Sequence, residues 1–149
     1  HPNGGDPEYS QLIMKYYVPS DPEKPLNGTY LADRFPGNNV WEMTTISISQ
    51  ADDGTIRTAI IDDRFPGNRS FGDLALYIDD GSTVTMEDNG FSIKVGPGTD
   101  YLRGQHLIQT NVMTRHYQFN DNSLIYTYAS DTTGALFVPG NNFELIKMP

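Results

Sequence analysis

From Gly28 onward the chain consists of short runs rich in Thr, Ile, Val, Tyr and Phe, separated every 8 to 15 residues by clusters of Gly, Pro, Asn and Asp. β-Branched and aromatic residues suit a pleated, half-buried surface, so the pattern predicts an all-β domain. Strands are expected near residues 28–34, 40–49, 55–62, 73–79, 82–87, 91–95, 105–119 (long and broken), 124–130, 135–138 and 143–148. The separators have turn chemistry: Pro36-Gly37, Asp53-Gly54, Pro66-Gly67, Asp80-Gly81, Asn89-Gly90, the loop Gly96-Pro97-Gly98, Asn120-Asp121-Asn122 and Pro139-Gly140.

Alternation sorts the faces of these strands, because successive side chains leave a strand on opposite sides. In 40–49, Val40, Thr44, Ile46 and Ile48 oppose Trp41, Met43 and Thr45. In 73–79, Leu74, Leu76 and Ile78 point inward and Tyr77 outward, or the reverse if aromatic residues line the wall. In 124–130, Leu124, Tyr126 and Tyr128 oppose Ile125, Thr127 and Ala129.

Residues 1–27 form a Pro-rich leader. Asp6-Pro7-Glu8 places a capping residue before a proline at the first helical position, and Leu12, Ile13 and Tyr16 share one face, which predicts a short helix over 7–16. A strand through 11–18 is the alternative. Pro19, Pro22 and Pro25 end any regular element.

The hexapeptide Asp33-Arg34-Phe35-Pro36-Gly37-Asn38 returns unchanged as Asp63-Arg64-Phe65-Pro66-Gly67-Asn68. Self-similarity at a fixed spacing marks a duplicated unit, here two hairpins over 28–54 and 54–81 within a single domain spanning 28–149. In a simple meander the turns alternate between two ends. Pro36-Gly37, Pro66-Gly67, Asn89-Gly90, Asn120-Asp121 and Pro139-Gly140 would then share one end. Asp53-Gly54, Asp80-Gly81, 96–104 and Thr132-Thr133-Gly134 would share the other. The repeated Arg34-Phe35 and Arg64-Phe65 pairs would form a rim at the first end, or their arginines would simply pair with Asp33 and Asp63.

Composition narrows the chemistry. The 149 residues carry 10 Lys+Arg against 19 Asp+Glu, a net charge of −9, which repels phosphate backbones and anionic membrane surfaces. Neither nucleic acid nor polybasic membrane binding is expected. Much of the acidity reads as turn chemistry, in Asp52-Asp53-Gly54, Asp62-Asp63, Asp79-Asp80-Gly81 and Asp88-Asn89-Gly90. With no cysteine there is no disulfide, thiol nucleophile or cysteine metal site. The polar start from His1 to Pro7 has no apolar signal-peptide segment and reads as the leader of a processed or truncated chain. The cysteine-free, Asn/Asp/Thr-rich, all-strand composition suits an extracytoplasmic protein, periplasmic, lipid-anchored at an outer membrane or secreted.

Catalytic motifs are missing from the sequence. There is no GxSxG, no Gly-rich phosphate loop and no EF-hand, His106 and His116 are too far apart on one strand to share an ion, and Glu42, Glu87 and Glu144 have no readable partner across a cleft. No cofactor and no enzymatic activity are expected. Nine Tyr, seven Phe and Trp41 are the better lead, as core packing or as surface for a ligand.

The Pro-rich leader, the Gly28-Thr29-Tyr30 start, the meander of short-turned strands and the final strand Phe143-Glu144-Leu145-Ile146-Lys147-Met148 together resemble bacterial lipocalin-like (calycin) domains, many of them extracytoplasmic lipoproteins of gut Bacteroidetes. The resemblance covers about residues 28–148. The family's start motif has Trp where this chain has Tyr30, no Arg partner for it stands out, and the repeated hexapeptide is no hallmark of the family. The resemblance implies an antiparallel meander barrel of about 8–10 strands, with a two-sheet sandwich as the alternative.

Three functions follow as expectations. The first is a non-enzymatic barrel binding a small apolar or amphipathic ligand in a mouth lined by Trp41, Met43, Tyr126 and Tyr128, with Arg34, Phe35, Arg64 and Phe65 at its rim. The second is a glycan-binding or adhesion module that uses exposed Tyr and Trp. The third is a structural domain docking on other proteins.

Overall fold

In the computed structural model, the described residues are 7–33, 40–66, 73–95, 99–100, 105–106, 113–130, 133–134, 136–137 and 143–149. Pro7 is the first residue of a helix, α1 (Pro7–Lys15), as the sequence pattern predicts, and the competing strand does not form. The strands are β1 (Gly28–Asp33), β2 (Val40–Gln50), β3 (Ile56–Pro66), β4 (Asp73–Asp79), β5 (Val84–Glu87), β6 (Gly90–Val95), β7 (Thr99–Asp100), β8 (Gln105–His106), β9 (Met113–Asn120), β10 (Ser123–Ser130), β11 (Leu136–Phe137) and β12 (Phe143–Lys147). All belong to one antiparallel sheet, ordered β5-β6-β9-β10-β12-β1-β2-β3-β4-β7-β8, with β11 on β10. A single continuous sheet excludes the two-sheet sandwich.

The chain itself brings the ends of this sheet together. β5 pairs with β6 and β4 with β7, yet β5 follows β4 after four residues and β7 follows β6 after three. Likewise β9 pairs with β6 and β8 with β7, and both β11 and β12 pair with β10. The pairs β4/β5, β6/β7, β8/β9 and β11/β12 are therefore four interrupted lines. With β1, β2, β3 and β10 they make eight up-and-down lines in a nearly closed barrel. The barrel expected from the sequence is thus the observed fold, and the broken 105–119 segment is β8 and β9.

One interruption corrects the expected arrangement of turns. Asp79-Asp80-Gly81 is not a hairpin turn but a break between β4 and β5, which run in the same direction. Asp79 Oδ1 accepts from Gly81 N at 2.7 Å, and Asp80 Oδ1 accepts from Ser82 N at 3.0 Å. Gly81 has φ +103°, and a Cβ there would lie 2.7 Å from Thr55 Cγ2 and 2.8 Å from the Ile56 carbonyl oxygen, so this break requires glycine. Because no reversal occurs here, the turns at Asn89 and at Asp121 lie at the end of the barrel that holds Asp53-Gly54. The β1–β2 and β3–β4 connections leave from the opposite end. Gly37, Gly67, Gly96, Gly104 and Pro139-Gly140 lie outside the described residues.

A second correction concerns the repeat. Asp63–Pro66 of its second copy are not turn residues but continue β3, where Pro66 pairs with Val40. The two hairpins also differ in register: Asp33 pairs with Met43, whereas Asp63 pairs with Leu74, one residue further along.

One parity of each line faces the interior. Tyr30 and Ala32 of β1, Ile46 and Ile48 of β2, Ile56 and Ile60 of β3, Phe91, Ile93 and Val95 of β6, Tyr117 of β9, Leu124 and Tyr126 of β10, and Phe143 and Leu145 of β12 form a single core. Burial of each large member contributes about 1.5–3 kcal/mol. Tyr77 packs against this core, so β4 follows the aromatic-wall alternative, and Leu76 faces out. Outside, α1 sets Leu12 and Ile13 on Ile61 and Leu76, flanked by Tyr16, Leu31 and Met148. The following segment is tied down by Val18 N donating to Thr29 Oγ1 at 2.8 Å. The leader thus forms a second layer on β1, β3 and β4.

Candidate functional site

One level of the barrel core holds two charged residues. There Ala32, Thr44 and Asp62 are direct partners across β1, β2 and β3. Asp62 is 1% exposed, within β3 on the parity of Ile56 and Ile60, so it is a barrel-interior acid rather than the turn residue its Asp62-Asp63 setting suggests. Facing it from β9 is Arg115, 8% exposed, whose cross-strand partners are Ile93 and Ala129. Arg115 Nη1 donates to Asp62 Oδ1 at 3.1 Å and Nη2 donates to Oδ2, a two-pronged pair that matches the planar guanidinium to the carboxylate. Thr44 Oγ1 donates to Asp62 Oδ1 at 2.6 Å. The guanidinium carbon lies 5.4 Å from the Tyr126 ring centre and 5.9 Å from that of Tyr77, within cation–π range.

Burial alone would favour a neutral guanidine. The Asp62 carboxylate outweighs it, helped by the Tyr117 and Tyr126 phenols, and holds the Arg115 pKa well above its ordinary value. A fixed positive group bound to a fixed negative one therefore crosses the interior, where Ala32 of β1 and Ala129 of β10 are the ladder partners of Thr44 and Arg115.

Of the residues singled out for the mouth, Tyr126 lies in this cluster, 4% exposed. Tyr128 does not accompany it. Tyr126 pairs with Tyr117 but Tyr128 pairs with His116, a bulge that leaves Thr127 as the extra residue and moves Tyr128 to the outer face while Ala129 takes the inner position. Tyr128 there stacks on His116, with ring centres 4.0 Å apart. In the ladder, Trp41 pairs with Phe65, Met43 with Asp63 and Arg64 with Glu42 and Asp73. The side chains of Trp41, Met43, Arg64 and Phe65, and all of Arg34 and Phe35, lie outside the described residues. Among the described residues no group of three or more His, Asp or Glu could hold a metal ion.

Arg115 was not singled out from the sequence, although its parity with Met113, Tyr117 and Phe119 was a readable signal. A charged residue on the apolar side of a strand needs an opposite charge on another apolar side, and Asp62 meets that description. Across β1 and β12, Lys147 pairs with Tyr30 in the ladder and sets Nζ 5.4 Å from the centre of its ring. Burial pushes the Tyr30 phenol up to about 12, and that phenol donates to the Leu26 carbonyl at 3.0 Å.

No family model, no curated protein and no solved structure matches this chain.

Proposed function

We propose that this chain is a non-enzymatic, lipocalin-like barrel that binds a small amphipathic ligand, its oxygen-bearing head at Arg115 and its apolar body among Tyr77, Tyr126 and the small side chains Ala32 and Ala129. The observation that carries the reading is the Asp62–Arg115 pair inside the barrel. Desolvating two charges costs several kcal/mol per ion, and a well-packed apolar set of the same volume is often as stable or more so. Stability alone therefore gives little reason for an ion pair here. Two of the five guanidinium N–H groups account for the bonds to Asp62, which leaves donors for a ligand oxygen. The eight-line meander and the Tyr30–Lys147 contact, which puts a cation from the last strand on the aromatic residue of the first, support the lipocalin-like part of the reading. An extracytoplasmic location is part of the same proposal and rests on composition alone.

Displacement of a fluorescent probe such as anilinonaphthalene sulfonate tests it, using a long-chain fatty acid and the hydrocarbon of equal length as competitors. Displacement by the acid and not by the hydrocarbon, with the preference lost in the charge-free double variant Asp62→Leu/Arg115→Met, is the expected result. Equal competition by both, or a preference that survives in the double variant, overturns the role of Arg115.

A further inference from the structure

The bulge that removes Tyr128 from the interior builds a groove on the outer face of the barrel. Its floor is Gly90, where a Cβ would come within 1.9 Å of the Tyr117 carbonyl oxygen, so no side chain can fill it. On one side stand the stacked rings of His116 and Tyr128, 12° from parallel. Glu87 stands beside this wall, its carboxylate oxygens 3.1 and 3.3 Å from His116 Nδ1. Thr127, the extra residue of the bulge, also lines the groove and donates its hydroxyl to the His116 carbonyl at 3.0 Å. The exposed amides of Asn89 and Gln118 complete the lining, and neither side chain makes a hydrogen bond with another described residue. The groove has a volume of about 310 Å³.

We infer that this groove binds a single neutral sugar ring, at a site separate from the barrel interior. Its volume is at the low end of small-molecule sites, which run from about 300 to 1,000 Å³ and so fits one ring rather than a chain. A carboxylate and two primary amides supply the bidentate acceptors and donors that adjacent hydroxyls match, while the aromatic wall offers apolar surface to ring C–H groups. The Glu87 carboxylate and the net charge of −9 disfavour an anionic ligand. Bulges are over-represented beside functional sites because they re-aim a side chain, and here the re-aimed residue is the one that makes the wall.

The test is amide NMR of the ¹⁵N-labelled protein titrated with the methyl glycosides of glucose, galactose, mannose and N-acetylglucosamine, and separately with choline as a cationic probe. Single-ring binding is weak, so titrations run to about 10 mM, ten times a Kd near 1 mM. Saturable shifts confined to Gly90, His116, Gln118 and Tyr128 with at least one glycoside are expected. Affinity should fall about tenfold or more in Tyr128→Ala and in Glu87→Gln, and persist in Tyr128→Phe. Dispersed spectra of each variant separate loss of binding from loss of fold. Shifts with choline alone, no saturable shift with any glycoside, or shifts unaffected by Tyr128→Ala overturn the inference. A result at this groove is independent of probe displacement from the interior.

Discussion

Asp62 and Arg115 are 53 positions apart in the chain and five places apart in the order of the sheet, yet two side-chain hydrogen bonds join them across the barrel. Strands so far apart in a flat sheet could not touch. The contact is thus a measure of closure as well as the polar centre of the core.

Each member of this pair protects the other from an uncompensated buried charge. Arg115→Met alone and Asp62→Leu alone should each destabilise the fold by about 3–5 kcal/mol, whereas the double variant should recover most of the loss. Urea denaturation of the four proteins closes the cycle. Additive losses would show that the two residues do not act as a pair.

Tyr30 should contribute to the loss of stability at alkaline pH. Its phenol ionises near pH 10 when unfolded but at about 12 in the fold, so the neutral form is the one the fold retains. The stability it contributes is complete below about pH 10 and is lost as pH rises through about 12. Tyr30→Phe, which keeps the ring but cannot ionise, should flatten the decline of stability between those values. An unchanged pH profile would place the alkaline transition elsewhere.

Helix α1 is held by Leu12 and Ile13 on the outer wall. Leu12→Ala should cost about 2–4 kcal/mol through the cavity left against Ile61 and Leu76, and exposed Met14→Ala should cost less than about 0.5 kcal/mol. Limited proteolysis of the leader reads the same difference: faster cleavage in Leu12→Ala, no change in Met14→Ala.

Deleting Thr127 tests the bulge. Tyr126 and Tyr128 already face consecutive residues of β9, Tyr117 and His116, so removal of the residue between them leaves the rest of the ladder in register. The deletion should fold, with a loss of about 1 kcal/mol from the missing hydroxyl bond to His116. Failure to fold, or a change in the near-ultraviolet circular dichroism of the buried tyrosines, would mean that the bulge also sets the strand's path.

Much of this architecture is legible in the sequence because its signals are local. Proline starts α1, and Gly-, Asn- and Asp-rich clusters end the runs that become β1, β2, β4, β6 and β10. The Asx turns at Asp53 and Asp80 are of the same kind: donation from the Thr55 and Ser82 N–H groups holds both carboxyls below their ordinary pKa. The same reading misplaces Asp62, because a pair of aspartates after an isoleucine run looks like punctuation until a cation is known to lie opposite. It also misplaces Tyr128, because strict alternation has no means of announcing an extra residue.

The sequence by itself determined roughly where most strands lie, that the leader carries an amphipathic helix, and which parity of most strands is apolar, since each depends on residues within a few positions of one another. Only the tertiary structure decided that Asp79-Asp80-Gly81 interrupts a line instead of reversing it, that Tyr77 faces in and Leu76 faces α1, and that Asp62 meets Arg115. Those outcomes depend on what arrives from the far side of a closing sheet. The free energy of burying a charge, or of turning a tyrosine outward, is set by neighbours that the linear chain holds tens of residues away.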